Sequence, residues 1–252
     1  MPSQSDIQEI RKEARETFRA ARVPPLRMTA CLLAVTAALN LLGILAAQLP
    51  NTSVGVLSYT FSFFDILIML IGGVLNAGFM LYCLRVRRGE SVPYNSLFDA
   101  FPFAGKVVLL DVLFGTLVGL GLTLFIAPGV YLAFAYALAH LHLVDEPELG
   151  AIEALRRSRR EMAGRKGQLF RLALSYWPLL LAEAAVYFVC RQFLGPALPD
   201  TLPGHLIYFA ASSLLFACVE LFLTPHLHLA LAGFYDRVRD GAGAQERKPD
   251  TM

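Results

Sequence analysis

Four carboxylates interrupt apolar stretches of this chain: Asp65, Asp111, Glu183 and Glu220. A carboxylate at membrane depth is costly unless it is protonated, hydrogen-bonded or hydrated. No Lys or Arg lies at comparable depth to neutralise these four. Asn40, Asn76, Ser175 and Ser213 are the polar neighbours available in the same stretches. Counting along each stretch puts Asp65 and Glu183 toward the outer half of the membrane and Asp111 and Glu220 toward the inner half. Two tiers of acids suit a proton or cation path. The same residues also suit structural hydrogen bonding, and both readings stand at this point.

Two histidine pairs, His140 with His142 and His226 with His228, raise the question of a metal site with Asp145 or Asp236. Residues two apart on a helix point to opposite faces, so neither pair chelates alone; amphipathic side chains at the membrane interface are the expected role. No metal and no cofactor is expected. The chain lacks zinc-protease, nucleophile-elbow and phosphate-loop signatures, which weighs against an enzyme, although distant helices can assemble an intramembrane site.

The densest charge is the cluster Arg156, Arg157, Arg159 and Arg160. Beside it run Ile152, Leu155 and Met162 at helical spacing, with Glu148 and Glu153 near the start and Gly164 as a stop. The pattern predicts a short helix over 148–162 lying flat on an anionic leaflet. Enforcing chain orientation would require the same positive charge, and that alternative also stands.

The elements that must carry these groups follow from composition. Of 252 residues, 56% are hydrophobic and only 17% charged, with a mean hydropathy of +0.54, too apolar for a soluble domain of this length. Crossing a hydrocarbon core takes roughly 20 apolar residues. Six runs qualify or come close: 28–49, 58–84, 103–125, 127–144, 169–189 and 206–228. Pro128 and Gly129 separate the third from the fourth and predict a tight reversal. Gly115 and Gly119, with Gly72, Gly73 and Gly78, are expected to let helices approach closely, and Pro178 and Pro225 to kink theirs. Cys31, Cys83, Cys190 and Cys218 lie in or beside apolar runs and read as small hydrophobes.

Lys and Arg are strongly segregated between the connecting segments: 21 of the 22 fall on one side, with only Arg191 opposite. By the positive-inside rule both termini and the two long basic loops are expected in the cytoplasm. The segment 1–27 mixes basic residues with Asp6, Glu9, Glu13 and Glu16 and precedes a run too long for a signal-peptide core, so a retained segment is expected. Within it, Ile7, Ile10, Ala14 and Phe18 share one face of a helix opening with Ser5 and Gln8 at capping-box spacing.

A series of short motifs threads these segments: Leu81-Tyr82, Arg87-Arg88-Gly89-Glu90, Ser96 to Phe101, Pro128-Gly129, Asp145-Glu146-Pro147-Glu148, Ala154 to Ser158, Met162-Ala163-Gly164, and Pro225 to Tyr235. In order and spacing they resemble the bacterial integral-membrane family catalogued as domain-of-unknown-function family 975, over nearly the whole chain. The resemblance implies a polytopic membrane protein and carries no established activity or catalytic residue. Pro225-His226 stands where that family's pattern has Pro-Tyr, and the Arg-rich loop is a further departure.

The expected architecture is all-α, a polytopic bundle of about six transmembrane helices over 28–235. Interfacial helices are expected at 1–27 and 145–168, with Pro128, Gly129, Pro147 and Gly164 as structural punctuation and an unstructured tail at 236–252. The preferred function is a non-enzymatic scaffold, accessory or regulatory protein of the cell membrane, acting through a basic cytoplasmic face. A small proton- or cation-linked transporter using the buried carboxylates is the alternative, and a membrane-embedded lipid enzyme a third reading. Expected partners are bilayers with anionic lipids and other membrane proteins or a second copy; nucleic acid is not expected.

Overall fold

The computed structural model describes residues 4–21, 23–46, 53–56, 59–199 and 201–246, with side chains described for all of these but 4–7, 20, 46, 53–56, 59–65 and 242–246. The chain folds as helices α1 (Gln4–Ala20), α2 (Pro25–Ala46), α3 (Phe63–Arg87), α4 (Ala104–Leu124), α5 (Ile126–Ala135), α6 (Ala139–Asp145), α7 (Ala151–Glu161), α8 (Lys166–Leu174), α9 (Trp177–Val189), α10 (Gly195–Ala197) and α11 (Leu202–Glu246). Six stretches of these are long and apolar enough to cross a membrane. A small antiparallel hairpin, β1 (Ser53–Val56) with β2 (Tyr59–Ser62), precedes α3, pairing Ser53 with Ser62 and Val56 with Tyr59. It takes residues 59–62 out of the second apolar run, where a helix from Ser58 is expected: Tyr, Thr and Phe suit a strand as well as a membrane helix.

Local chemistry explains most boundaries. Pro25 opens α2, where a missing N–H costs nothing. Gly89, at φ +82°, ends α3 in the left-handed region that a helix terminus favours. Gly164, at φ +77°, does the same after α7, the stop expected of it. The reversal between α4 and α5 falls at Phe125, which is extended (φ −157°, ψ 145°), and not at Pro128-Gly129. Pro128 sits instead in the first turn of α5, and Gly129 lets the arms close: a Cβ on Gly121 would stand 2.8 Å from Gly129 Cα.

The fourth apolar run is broken into α5 and α6 at residues 136–138. The break is held from outside by buried Ser158 of α7, which accepts the Leu138 N–H (3.2 Å) and donates to the Ala135 carbonyl (3.0 Å). The fifth run breaks likewise into α8 and α9, then continues through a π-helical turn, Cys190–Leu194. The last helix runs to Glu246, well past His228, so the first part of the tail expected to be unstructured is helical.

Packing is concentrated at the end of the bundle that carries the basic residues. Phe79, Tyr82, Leu84, Leu97, Leu141, Met162 and Tyr235 are fully buried there. Toward the other end Leu45, Phe188, Phe193 and Leu214 are exposed, as an apolar band against lipid requires. Gly78 marks a close approach, since a Cβ on it would meet the Leu97 carbonyl oxygen at 2.0 Å. Gly115 and Gly119 meet nothing within 4 Å, so the expected close-approach motif on α4 faces open space.

Candidate functional site

Where the basic ends of the helices converge, ion pairs join five elements. Asp145, at the end of α6 and with its side chain 7% exposed, accepts hydrogen bonds from Arg88 (2.5 and 3.1 Å), from the Tyr235 hydroxyl (2.9 Å) and from Arg239. Asp236 takes Arg88 (3.0 Å) and Arg87 (3.4 Å). Glu13 of α1 holds Arg87 (2.6 Å) and Arg237 (2.7 Å). Glu146 bridges Arg157 of α7 (2.8 Å) to Arg239 of α11 (3.4 Å). Burial alone would raise the Glu13 pKa; the hydrogen bonds from Arg87 and Arg237 outweigh it and hold the carboxyl below the usual glutamate range.

His142 lies inside this network with its side chain 1% exposed. Its ring packs edge-on against Tyr235, centroids 4.9 Å apart, and Nδ1 stands 3.4 Å from the Tyr235 hydroxyl. Its Nε2 is 2.9 Å from Glu161 Oε2, and neither of these buried atoms makes a hydrogen bond. The interfacial role expected of His142 does not hold. His226 and His228 are also partnered, bonding the Phe222 and Thr224 carbonyls and packing against Phe18 and Phe79.

Among the described side chains, the intramembrane acids are not gathered into one site. Asp111 of α4 accepts from His140 Nε2 at 2.7 Å and sits against Gly73 of α3, where a Cβ would stand 2.4 Å from Asp111 Oδ2. His140 is therefore its partner, and not one of the amides and hydroxyls expected from the sequence. Glu220 lines an open groove of about 650 Å³ between α2 and α11 together with Asn40, Thr36 and Ser213, so Asn40 and Ser213 do stand beside an acid. Glu183 lies on α9, which packs against α11. Asp65 lies in the first turn of α3, and its side chain falls outside the described residues.

The arginine cluster divides. Arg157 turns inward to Glu146, whereas Arg156 and Arg160, with side chains 73% and 70% exposed, line a surface recess of about 500 Å³ with Arg159 and Glu153. Beneath them α7 buries Ala151, Ala154, Leu155 and Ser158. Of the expected lipid-facing stripe, Leu155 and Met162 are buried in protein and only Ile152 is exposed. The face of α1 is covered in the same way, with Ile10 and Ala14 buried and Phe18 stacked on His226 at 4.6 Å; the Ile7 side chain lies outside the described residues. Both amphipathic helices dock on the bundle. Pro147 joins in through its carbonyl, which accepts the Lys106 ammonium at 2.5 Å.

This arrangement uses many of the short motifs that run through the chain, and a family comparison matches part of them. Residues 120–242 match the family described as protein of unknown function DUF975. The resemblance is thereby borne out over a stretch holding Asp145, Glu146, Ser158 and Tyr235, while Arg87 and Arg88 precede it. A curated relative, a UPF0259 membrane protein of Sodalis glossinidius (strain morsitans), is 34% identical over 157 residues, 61% of this chain. The chain thus spans 60% of that relative's length. No solved structure matches. With six helical stretches among its described residues long and apolar enough to cross a membrane, and with this likeness to a membrane protein, the chain is an all-α, multi-pass membrane protein.

Proposed function

We propose that this is a non-enzymatic scaffold or accessory protein of the cell membrane, with both termini and its basic face in the cytoplasm. The observation carrying this reading is how its charges are arranged. The interior acids and arginines at the basic end neutralise one another across α1, α3, α6, α7 and α11, which fixes the shape of that face. Arg156, Arg159 and Arg160 are left pointing outward on a rigidly seated helix. A fixed surface of positive charge suits anionic lipid headgroups or an acidic partner in the membrane, and the segregation of Lys and Arg supports its cytoplasmic placement.

The test is binding. Purified protein in neutral nanodiscs should capture anionic vesicles at low salt, lose them as salt rises, and lose them when Arg156, Arg159 and Arg160 become Gln. Equal capture of neutral vesicles would sink the reading. The Asp111–His140 pair supports one alternative, a proton-linked transporter, because a carboxylate and an imidazole 2.7 Å apart can pass a proton between them. Proteoliposomes energised with a proton gradient decide it: flux that Asp111→Asn abolishes would replace the scaffold reading.

A further inference from the structure

We propose that the groove between α2 and α11 is a binding site for a lipophilic organic cation, an ammonium or phosphonium group carrying apolar substituents, with Glu220 as its counter-charge. The inference rests on what lines the groove and stands apart from the scaffold reading.

Small side chains make the space. Ala30, Ala34 and Ala37 on α2 face Ala210, Ser213 and Ala217 on α11, so two long helices that pack against each other leave a groove of about 650 Å³. That volume falls within the range of roughly 300–1,000 Å³ usual for small-molecule sites. Along α11, Phe209, Ser213, Phe216 and Glu220 follow one another at intervals of four, three and four, which sets them on one face of the helix.

The polar groups of the lining are of one kind. Thr36 shares its hydroxyl proton between the Leu32 and Leu33 carbonyls (3.0 and 3.1 Å), and Ser212 gives its own to the Phe209 carbonyl (3.2 Å). Asn40 turns its amide nitrogen to the Thr36 carbonyl at 2.8 Å. These donors are spent on the backbone of their own helices, so the side-chain oxygens are left to the groove as acceptors. Among the described residues, Glu220 is the single charged side chain of the lining. A carboxylate in an apolar stretch is costly without a partner, and the oxygens around it deepen the negative potential. The positive charge that completes the groove comes from a ligand.

The lining also selects the kind of cation. A bare metal ion such as Ca²⁺ takes about six to eight oxygen ligands, and among the described residues no cluster of three His, Cys, Asp or Glu side chains stands ready to hold a metal. Phe209 and Phe216 suit a bulky, weakly hydrated cation instead, because a ring face attracts an ammonium within about 6 Å of its centre. Phe216 lies one turn from Glu220 on the same face, so ring and carboxylate can meet one ligand. The mouth of the groove is open, with Asn40 and Ala210 exposed and Leu214 at 68% exposure. A ligand arriving through lipid brings its own apolar surface, as an alkylated or arylated cation does.

The test uses the full chain in neutral nanodiscs and radiolabelled tetraphenylphosphonium, with uptake by empty discs subtracted. Saturable binding is expected. Triphenylphosphine oxide, a neutral analogue built on the same rings, should compete at least about tenfold more weakly, because it gains no ion pair. Glu220→Gln should remove that difference and leave the Tm in detergent unchanged, since it takes an uncompensated charge out of an apolar stretch. Should Glu220→Gln lower the Tm, Ala210→Phe decides by filling the groove at its exposed rim: lost binding supports the site, and binding at wild-type strength overturns it. The proposal also falls if wild type shows no saturable uptake, if the neutral analogue competes equally, or if the preference for the cation survives in Glu220→Gln.

Discussion

At the scale of single residues, the acids of the basic end differ in what removing them leaves behind. Asp145 is almost fully covered and meets three donors, so Asp145→Asn takes away the charge that Arg88 and Arg239 share and leaves each with one acid, Asp236 and Glu146 respectively. Breaking a buried pair typically costs about 3–5 kcal/mol. The two arginines are partly solvated, which places the expected loss at the low end of that range, read as a fall in Tm in detergent. Glu153→Gln on the exposed face of α7 should change stability by about 0.5 kcal/mol or less, because its arginine partners are already in water. Glu13 adds a pH signature. Its pKa is depressed in the folded protein, so its contribution is present above the ordinary glutamate range and lost as pH falls through the depressed value. The Tm gap between wild type and Glu13→Gln should stay level down to pH 4.5, the unperturbed value, and close below it. At 36% side-chain exposure for Glu13 that gap corresponds to no more than about 1 kcal/mol.

At the scale of elements, Ser158 joins two parts of the chain that hydropathy treats as separate. Ser158→Ala strips partners from a buried N–H and a buried carbonyl at the α5–α6 break, a loss of about 1–3 kcal/mol. Hydrogen exchange should speed up selectively at residues 136–138. The same residue shows what the sequence hides. The long apolar runs were legible as helices because an uninterrupted stretch of that length has few other ways to satisfy its backbone in lipid. The break at 136–138 was not, because its cause lies on α7, beyond the run itself. The partner of Asp111 was hidden for a similar reason: His140 belongs to another helix, 29 positions away. The ionic network surfaced only as motifs such as Arg87-Arg88 and Asp145-Glu146, whose pairing extends across well over half the chain, from Arg87 and Arg88 to Asp236. The stripe on α7 was visible, but periodicity alone does not say whether a stripe faces lipid or protein.

At the scale of the whole molecule, α7 is seated by its buried face and by Arg157, leaving the three outward arginines out of the packing. Changing Arg156, Arg159 and Arg160 together to Gln is expected to leave limited proteolysis of the 146–165 segment unchanged, whereas Arg157→Gln should accelerate it. Long-range consequences fall instead to α11. Its 45 residues span roughly 67 Å, more than twice a hydrocarbon core. Pro225, unable to donate to the Leu221 carbonyl, divides it into a stretch lining the Glu220 groove and a stretch bearing Tyr235, Asp236 and Arg239. The distal arm measures about 30 Å, so a tilt of about 10° at the proline would carry its end through roughly 5 Å. The helix would then act as a lever with its fulcrum at Pro225, the groove under one arm and the clasp of charges on the other.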